Sequence, residues 1–565
     1  MYPKSFITVL FVLGSRTVMS QEVIPLSATQ SLRAHSYEIL NHYMESRGSI
    51  YTHGKCGLPV ISYAIKNRDR LNPEVRFALD NILTRPTTQK SILSGHFRVH
   101  YDTTGSDAPA MLDSLYQPIP GSADQYADSV ASIANYCETF ETQVLGYLPS
   151  PSDGDAGGGP EYDIYIASPL VLGPGGYGQT NPDSILVSKP DGGTYTSFIE
   201  IDNTFDWVNP PVNRGMPALR VTLAHELHHS IQIGNYGYWT GPPDLSHNTY
   251  IFFYELTSTW IEDVVFPDVK DYLQYTSGSD GHFAEPWVSF NSDGNIMYSR
   301  AIWAHFIAKR FGRNAMLRSW EEISSAPPLQ AIDRALSKPP YNSNFKNAFA
   351  EWTVWNYFTG ARSDSLLYYP EGSSYPEIAS STIDFVPPAE TLGGNLYVLS
   401  SAYENINSGG ESLPFLVSNV NLDSAITRYP NTFPYSYILS ENQNSSIAAS
   451  LGVPDQANWY SKALLPGAVT LDPFPDPFRA NGSNQISIPV SGSSSRTGTL
   501  YVYSSDMKLV YSGTVNTQFS TLLGGEVFQW NGVKNNDELA SSGIYIYFIQ
   551  LQGQSIRGKF ALIRK

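Results

Sequence analysis

A chain of 565 residues exceeds what one hydrophobic core can organise, so three or four domains are expected. Hydrophobic content of 41% with 13% aromatics excludes a mainly disordered chain, and abundant Tyr (37), Gly (44) and Pro (39) with 15% charged residues suits a strand- and turn-rich extracellular protein. The net charge of −17, from 35 basic and 52 acidic residues, repels phosphate backbones and anionic lipid, which argues against nucleic acid as a partner.

The amino terminus, MYPKSFITVLFVLGSRTVMSQEV, has an early Lys4 and a short apolar run from Phe6 to Leu13. That run is too short for a bilayer, which takes about 20 residues. With Val18 and Ser20 framing a cut before Gln21, residues 1–20 read as a secretory signal peptide. No other segment is apolar for long enough to be transmembrane, so a secreted or cell-surface protein is expected. Residues 21–95 form a propeptide-like region with a helical stretch at Ser31–Arg47, the turn-like GKCGLP at 54–59 and a second helix near Pro73–Leu83. Strand patterns follow, including YDIYIA and SFIEIDN, and helical patterns dominate 216–355. Strands first and helices after predict an α+β domain, placed at 96–380. Beyond it, short strands with polar turns predict a β-rich module at 385–468. A final β-module at 472–565 follows the Pro-rich LDPFPDPF and contains two alternating hairpins.

The segment AHELHHSIQ, 224–232, carries the chemistry. On a helix over 217–232, with Pro217 in its first turn, His225 and His229 lie one above the other and can share one Zn²⁺. Glu226 is rotated about 100° away, too far aside to be a natural ligand but placed to take a proton from an attacking water. His228, one residue off the ligand face, reads as a supporting or surface histidine. A catalytic zinc wants a third protein ligand. Positions 232 and 235 are Gln and Asn, which excludes a third histidine at the immediate spacing. YIFFYELTSTWIEDVVFPD, 250–268, offers Glu255, deep in an aromatic run where a carboxylate needs a cation; Glu262 and His247 are the alternatives.

HELHH followed by ELTSTWIED resembles the gluzincins, thermolysin-like zinc peptidases with a glutamate ligand on a second helix. It is more similar still to a group of secreted bacterial metalloproteases that share GHFRVHYDTTGSDAP, YDIYIA, FIEIDN, PALRVTLAHE and AIWAHFIAKRFG, over roughly residues 90–375. The resemblance implies a zincin-like catalytic domain that hydrolyses protein or peptide substrates. His225, His229 and Glu255 would be its metal ligands and Glu226 its general base. The connection of 25 residues between His229 and Glu255 is longer than in thermolysin-like enzymes. The place of their histidine-orienting aspartate is Thr259, leaving Asp263, one turn on, as a substitute or as a solvent-facing helix end. Phenols stabilise the oxyanion in related peptidases, which nominates Tyr298; the plainer reading is a half-buried tyrosine on an amphipathic helix, and His305 is a weaker candidate. Asp153 and Asp155 in SDGDAGGG are a possible Ca²⁺ site or a plain turn.

In an exported protein, Cys56 and Cys137 read by default as one disulfide. GKCGLP also resembles the cysteine switch of zinc proteases, in which a propeptide thiolate occupies the open zinc position; a free thiol is the third reading. The C-terminal YVYSSDMKLVYSG, FQWNGVKN, ASSGIYIYFIQLQG and GKFALIRK resemble the immunoglobulin-like sorting domain of type IX secretion cargo. That implies outer-membrane secretion machinery as a partner; a spacer sandwich is the alternative. The rival to an enzyme is a surface binding or adhesion protein whose metalloprotease-like domain is inert.

Overall fold

The computed structural model describes residues 28–46, 54–168, 175–189, 192–238, 250–386, 389–408, 411–422, 432–441, 447–451, 458–464, 473, 478–490, 496–520, 525–551 and 554–564. The signal-like residues 1–20 and the alternative ligand His247 lie outside them. The chain is multidomain and mixes helices with sheets. Among the described residues no helix is long and apolar enough to cross a membrane.

Three helices open the chain: α1 (Ala28–Ser46), α2 (Leu58–Lys66) and α3 (Pro73–Ile82). Helix α3 begins where the sequence dictates, with Pro73 in the first turn and the Asn72 side chain accepting from Val75 N–H. Arg33 of α1 ties this unit together by donating to the carbonyls of Asn81 (2.8 Å) and Thr84 (2.6 Å). It also ion-pairs with buried Glu200 at 2.5 Å, in the sheet that follows.

That sheet contains β1 (Lys90–Ser94), β2 (Phe97–Tyr101), β3 (Tyr162–Ala167), β4 (Gly178–Lys189) and β5 (Gly192–Asp202) in the order β1-β2-β3-β5-β4. Strand β1, inside the stretch read as propeptide-like, pairs with β2 and so belongs to this sheet. Strand β3 runs parallel to both neighbours and is buried along its whole length, as a parallel strand covered on both faces must be. Edge strand β4 pairs antiparallel with β5. The helix α4 (Ala123–Thr139) precedes β3. After the sheet come α5 (Met216–Ile231), α6 (Ile251–Val265), α7 (Ala301–Phe311), α8 (Asn314–Ile323), α9 (Pro328–Ser337) and α10 (Phe345–Tyr357).

The β-rich module consists of a three-stranded and a four-stranded sheet with its own small core, including Leu396, Ile406, Phe415, Tyr437 and Leu439. It is also continuous with the main core through Leu399, Tyr403 and Leu416. Phe290 N–H donates to Leu399 O (2.8 Å), and Tyr403 O–H donates to Thr353 O (2.7 Å). The C-terminal module stands on a separate core, with Phe478, Ile488, Leu500, Phe528, Trp530 and Phe560 between a five-stranded and a three-stranded sheet. Its two hairpins fall at 497–516 and 543–564, as the alternation predicts.

Two expectations change. Cys56 and Cys137 are both buried free thiols, so no disulfide joins them. At the SDGDAGGG turn the cation is a guanidinium: Arg85 lies 2.5 Å from Asp153 and also pairs with Asp163 and Asp183. A calcium ion is not needed to neutralise Asp153.

Candidate metal centre

Helix α5 starts at Gly215, whose φ of +67° turns the chain sharply; a Cβ there would lie 3.1 Å from Leu112. Leu219, Leu223 and Leu227, one above the next, are fully buried, each contributing about 2 kcal/mol. The rest of the helix from Ala218 onward is buried too, Arg220 excepted, so α5 is enclosed on all sides rather than amphipathic. That corrects the reading of His228. It is buried, shares a hydrogen bond between Nδ1 and Glu141 Oε2 (2.8 Å), and packs edge-on against Tyr147 and Trp320, away from the site. Burial drives its pKa down and that of Glu141 up, toward an uncharged pair.

His225 and His229 turn toward α6. Their Nε2 atoms are 3.0 Å apart, and Glu255 reaches them with Oε2 at 3.2 Å and Oε1 at 3.4 Å. Cys56 completes the group: one ligand atom from each of Cys56, His225, His229 and Glu255 lies within 4.8 Å of the others, and all four residues are buried.

This set fits a metal ion. Two imidazole nitrogens and a carboxylate converging in a dry interior repel one another unless a cation stands among them. Glu255 Oε1, fully enclosed, makes no hydrogen bond. The titration shows the same demand for positive charge in this cluster. Burial opposes charge on His225, but hydrogen bonds to Glu255 and Glu262 outweigh it and push its pKa up to about 10. Burial likewise opposes charge on Glu255, yet His229 and His225 hold it down at about 2.

The far sides of both rings are anchored. His225 Nδ1–H donates to Glu262 Oε1 (2.7 Å), and His229 Nδ1–H donates to Gln232 Oε1 (2.8 Å) with Ser258 Oγ at 3.1 Å. Gln232 opens a wider helical turn, Gln232–Tyr236, that continues α5. Its amide N–H donates to Thr257 Oγ1 (2.9 Å), which fixes the amide with its oxygen toward His229. These bonds leave both Nε2 lone pairs aimed at the cluster, as a metal requires. A Glu262→Gln chain should therefore bind a divalent metal about 10–100-fold more weakly, read by competition with a chromogenic chelator; unchanged affinity would remove Glu262 from this role.

Glu226 lies beside the group. Thr180 Oγ1–H donates to its Oε2 (2.8 Å), and the Cys56 thiol sits 3.7 Å from the same oxygen. Burial raises its pKa, partly offset by His225 and His229. Gly178, at the start of β4, lets the strand close over it: a Cβ there would lie 2.9 Å from Thr222 and 3.1 Å from Glu226.

Tyr298 belongs to a short helix, Ile296–Ser299, and is buried, not half-buried on an amphipathic face. Its hydroxyl accepts from Cys56 N–H at 3.4 Å, and its ring lies 6.3 Å from that of His225. Burial first, then Glu255 and Cys56, raises its pKa, so it remains a phenol able to donate. Asp263 faces elsewhere, toward Lys270 (2.9 Å) and His305 (3.7 Å), so neither Asp263 nor His305 joins the site. Glu262, expected only as an alternative ligand, orients His225 instead.

Cys56 arrives on a segment that extends the sheet. Gly57 N–H donates to Gly178 O (3.2 Å) and Tyr177 N–H to Lys55 O (2.8 Å), so residues 55–57 run parallel to the start of edge strand β4. Gly57 has no room for a side chain, since a Cβ would meet Gln179 Oε1 at 2.5 Å. The Lys55 ammonium is buried between Glu262 (2.6 Å) and Asp271 (2.7 Å). Desolvation opposes its charge, but Asp271 and then Glu262 prevail and raise its pKa.

No family model matches the chain, and no curated protein matches it. Among solved structures, dimeric latent PorU from Porphyromonas gingivalis is similar over 33% of this chain and 19% of that one, at 13% identity and a TM-score of 0.15. The chain thus spans about a fifth of PorU, and a likeness of that size carries no conclusion about fold or activity.

Proposed function

We propose that this chain is a secreted zinc-dependent endopeptidase, built on a zincin-like domain and held latent by its N-terminal unit. The observation that carries the proposal is the convergence of His225, His229 and Glu255 in a buried group with Glu226 beside it. Two nitrogen donors, a carboxylate oxygen and a thiol suit zinc better than the hard cations, which favour all-oxygen shells. When bound, zinc supplies Lewis acidity to a peptide carbonyl and acidifies a water. The protein's own groups do the rest. Glu226, held by Thr180, takes the proton of the attacking water and returns it to the departing amine. Tyr298 donates to the oxygen on which charge develops.

Latency follows from Cys56. Its thiol would take the fourth ligand place of a bound metal, which a catalytic site must keep open, and residues 55–57 occupy the strand edge where an extended peptide would lie. The separate core of the C-terminal module supports reading it as an independent sorting domain for outer-membrane secretion machinery.

The deciding assay uses unfolded casein and protein freed of its N-terminal unit. Hydrolysis should stop with a chelator and return with added zinc. Activity indifferent to the chelator would end the zinc reading.

A further inference from the structure

The side chain next to Cys56 occupies a prepared cavity. Lys55 reaches Glu262 Oε2 at 2.6 Å and Asp271 Oδ2 at 2.7 Å, and all three side chains are at most 1% exposed. The rings of Tyr177 and Tyr275 flank the ammonium, with centroids 4.9 and 5.9 Å away. Asp271 is itself aimed: Asn213 and Gln274 both donate to its Oδ1 at 2.9 Å, which leaves Oδ2 for the cation. The four side chains around the ammonium come from residues 177–275 of the main domain, whereas the cation comes from the N-terminal unit.

Removing that unit withdraws the ammonium from Glu262 Oε2 and Asp271 Oδ2, leaving Glu262 with His225 and Asp271 with its two amide donors. Such an arrangement is costly until another cation enters. The carbonyl of Lys55 is already bonded to the edge strand, and the following residue reaches the metal group. A side chain entering this cavity from a bound peptide would therefore sit immediately beside the scissile bond.

We infer that the cavity formed by Glu262, Asp271, Tyr177 and Tyr275 is a specificity pocket for a basic side chain, above all lysine, adjacent to the bond that is cut, and that Lys55 occupies it as a built-in substrate mimic. The inference rests on the peptidase reading above and names its substrate class. A lysine ammonium matches two separate carboxylates better than the planar arginine fork does. A neutral side chain would leave Glu262 Oε2 and Asp271 Oδ2 without the cation they face, the situation in which a polar site discriminates strongly. Glu262 has the additional task of orienting His225, so Asp271, which touches no ligand, is the residue that isolates the pocket.

The test begins with full-length protein carrying a specific-protease site inserted after the exposed Thr84, so that Arg85 stays with the main domain. The chain is folded, nicked, stripped of its N-terminal piece and loaded with zinc. It is then offered a peptide library varied on both sides of the cleaved bond. Lysine in the adjacent position should raise kcat/KM about 100-fold over norleucine. Asp271→Asn should remove most of that ratio by lowering kcat/KM for the lysine peptides. Cobalt loading of the same variant, with an unaltered visible spectrum, shows that its metal group is intact. The wild-type profile needs no variant and decides the matter even if Asp271→Asn fails to fold. Cleavage without a basic preference overturns the pocket and leaves the peptidase standing. No cleavage of any peptide overturns the peptidase, and the pocket falls with it. As a readout apart from catalysis, Lys55→Met should speed release of the nicked N-terminal piece at least tenfold; unchanged release counts against a cation-binding cavity.

Discussion

Glu226→Gln protein, freed of its N-terminal unit and loaded with zinc, should hydrolyse peptides about 10³-fold more slowly than wild type. The substitution keeps the side chain's shape and its hydrogen bond from Thr180, and removes only the capacity to accept a proton. Glu226 is not one of the converging ligands, so zinc affinity should stay within about threefold of wild type. Such a pairing, lost turnover with retained metal, separates a proton carrier from a structural residue. If the glutamine chain were as active as wild type, the water-activation role would have to pass to another group. Burial already makes the Glu226 carboxylate more basic than usual, and the ordinary carboxylate pKa of about 4.3 would otherwise leave it a poor base near neutrality.

The helix that carries His225 and His229 was the most legible part of the sequence, because two histidines at i and i+4 can face only one way on a helix. The second helix shows where legibility ends. Glu255 and Glu262 are seven residues apart, two turns, and so share a face of α6 about 10 Å apart along it. Spacing alone gives them equal claim to the metal. Only the packing of α6 on α5 decides that Glu255 meets the Nε2 side of His225 and Glu262 its Nδ1 side. Asp263, one residue on, is turned about 100° from that face, which is why it pairs with Lys270 instead. His228 misled for a related reason: a polar residue off the ligand face suggests solvent only if the helix is wet there, and α5 is buried from Val221 to Ile231.

Contacts across the length of the chain were less legible still. Cys56 meets Glu226 across 170 positions, and only the GKCGLP motif hinted at the meeting. Lys55 gave one overlooked signal, a lone charge inside an otherwise small and apolar turn. Its partners, Glu262 and Asp271, are 207 and 216 residues away. The C-terminal hairpins, by contrast, are local pairings written as period-two alternation, and they appear where that pattern put them.

Replacing Cys56 with alanine should turn a silent full-length chain into an active one. A metal held by this group would have four protein ligands with Cys56 present, the closed arrangement of a structural site, and three with one place open to water in Cys56→Ala. Short peptides should then be cleaved at least tenfold faster than by full-length wild type. The gain will stop short of that of nicked protein, because the Lys55 ion pairs, the strand-edge hydrogen bonds and the Arg33–Glu200 pair still hold the N-terminal unit in place. Adding Lys55→Met to Cys56→Ala should close part of that gap. Cobalt substitution gives a second view: the wild-type chain should show a sulfur-to-cobalt charge-transfer band in the near ultraviolet, and Cys56→Ala should lack it. Equal peptidase rates in full-length wild type and Cys56→Ala, with no such band in either, would mean that the thiol is merely a buried neighbour of the metal group and that latency, if present, comes from the covered strand edge alone.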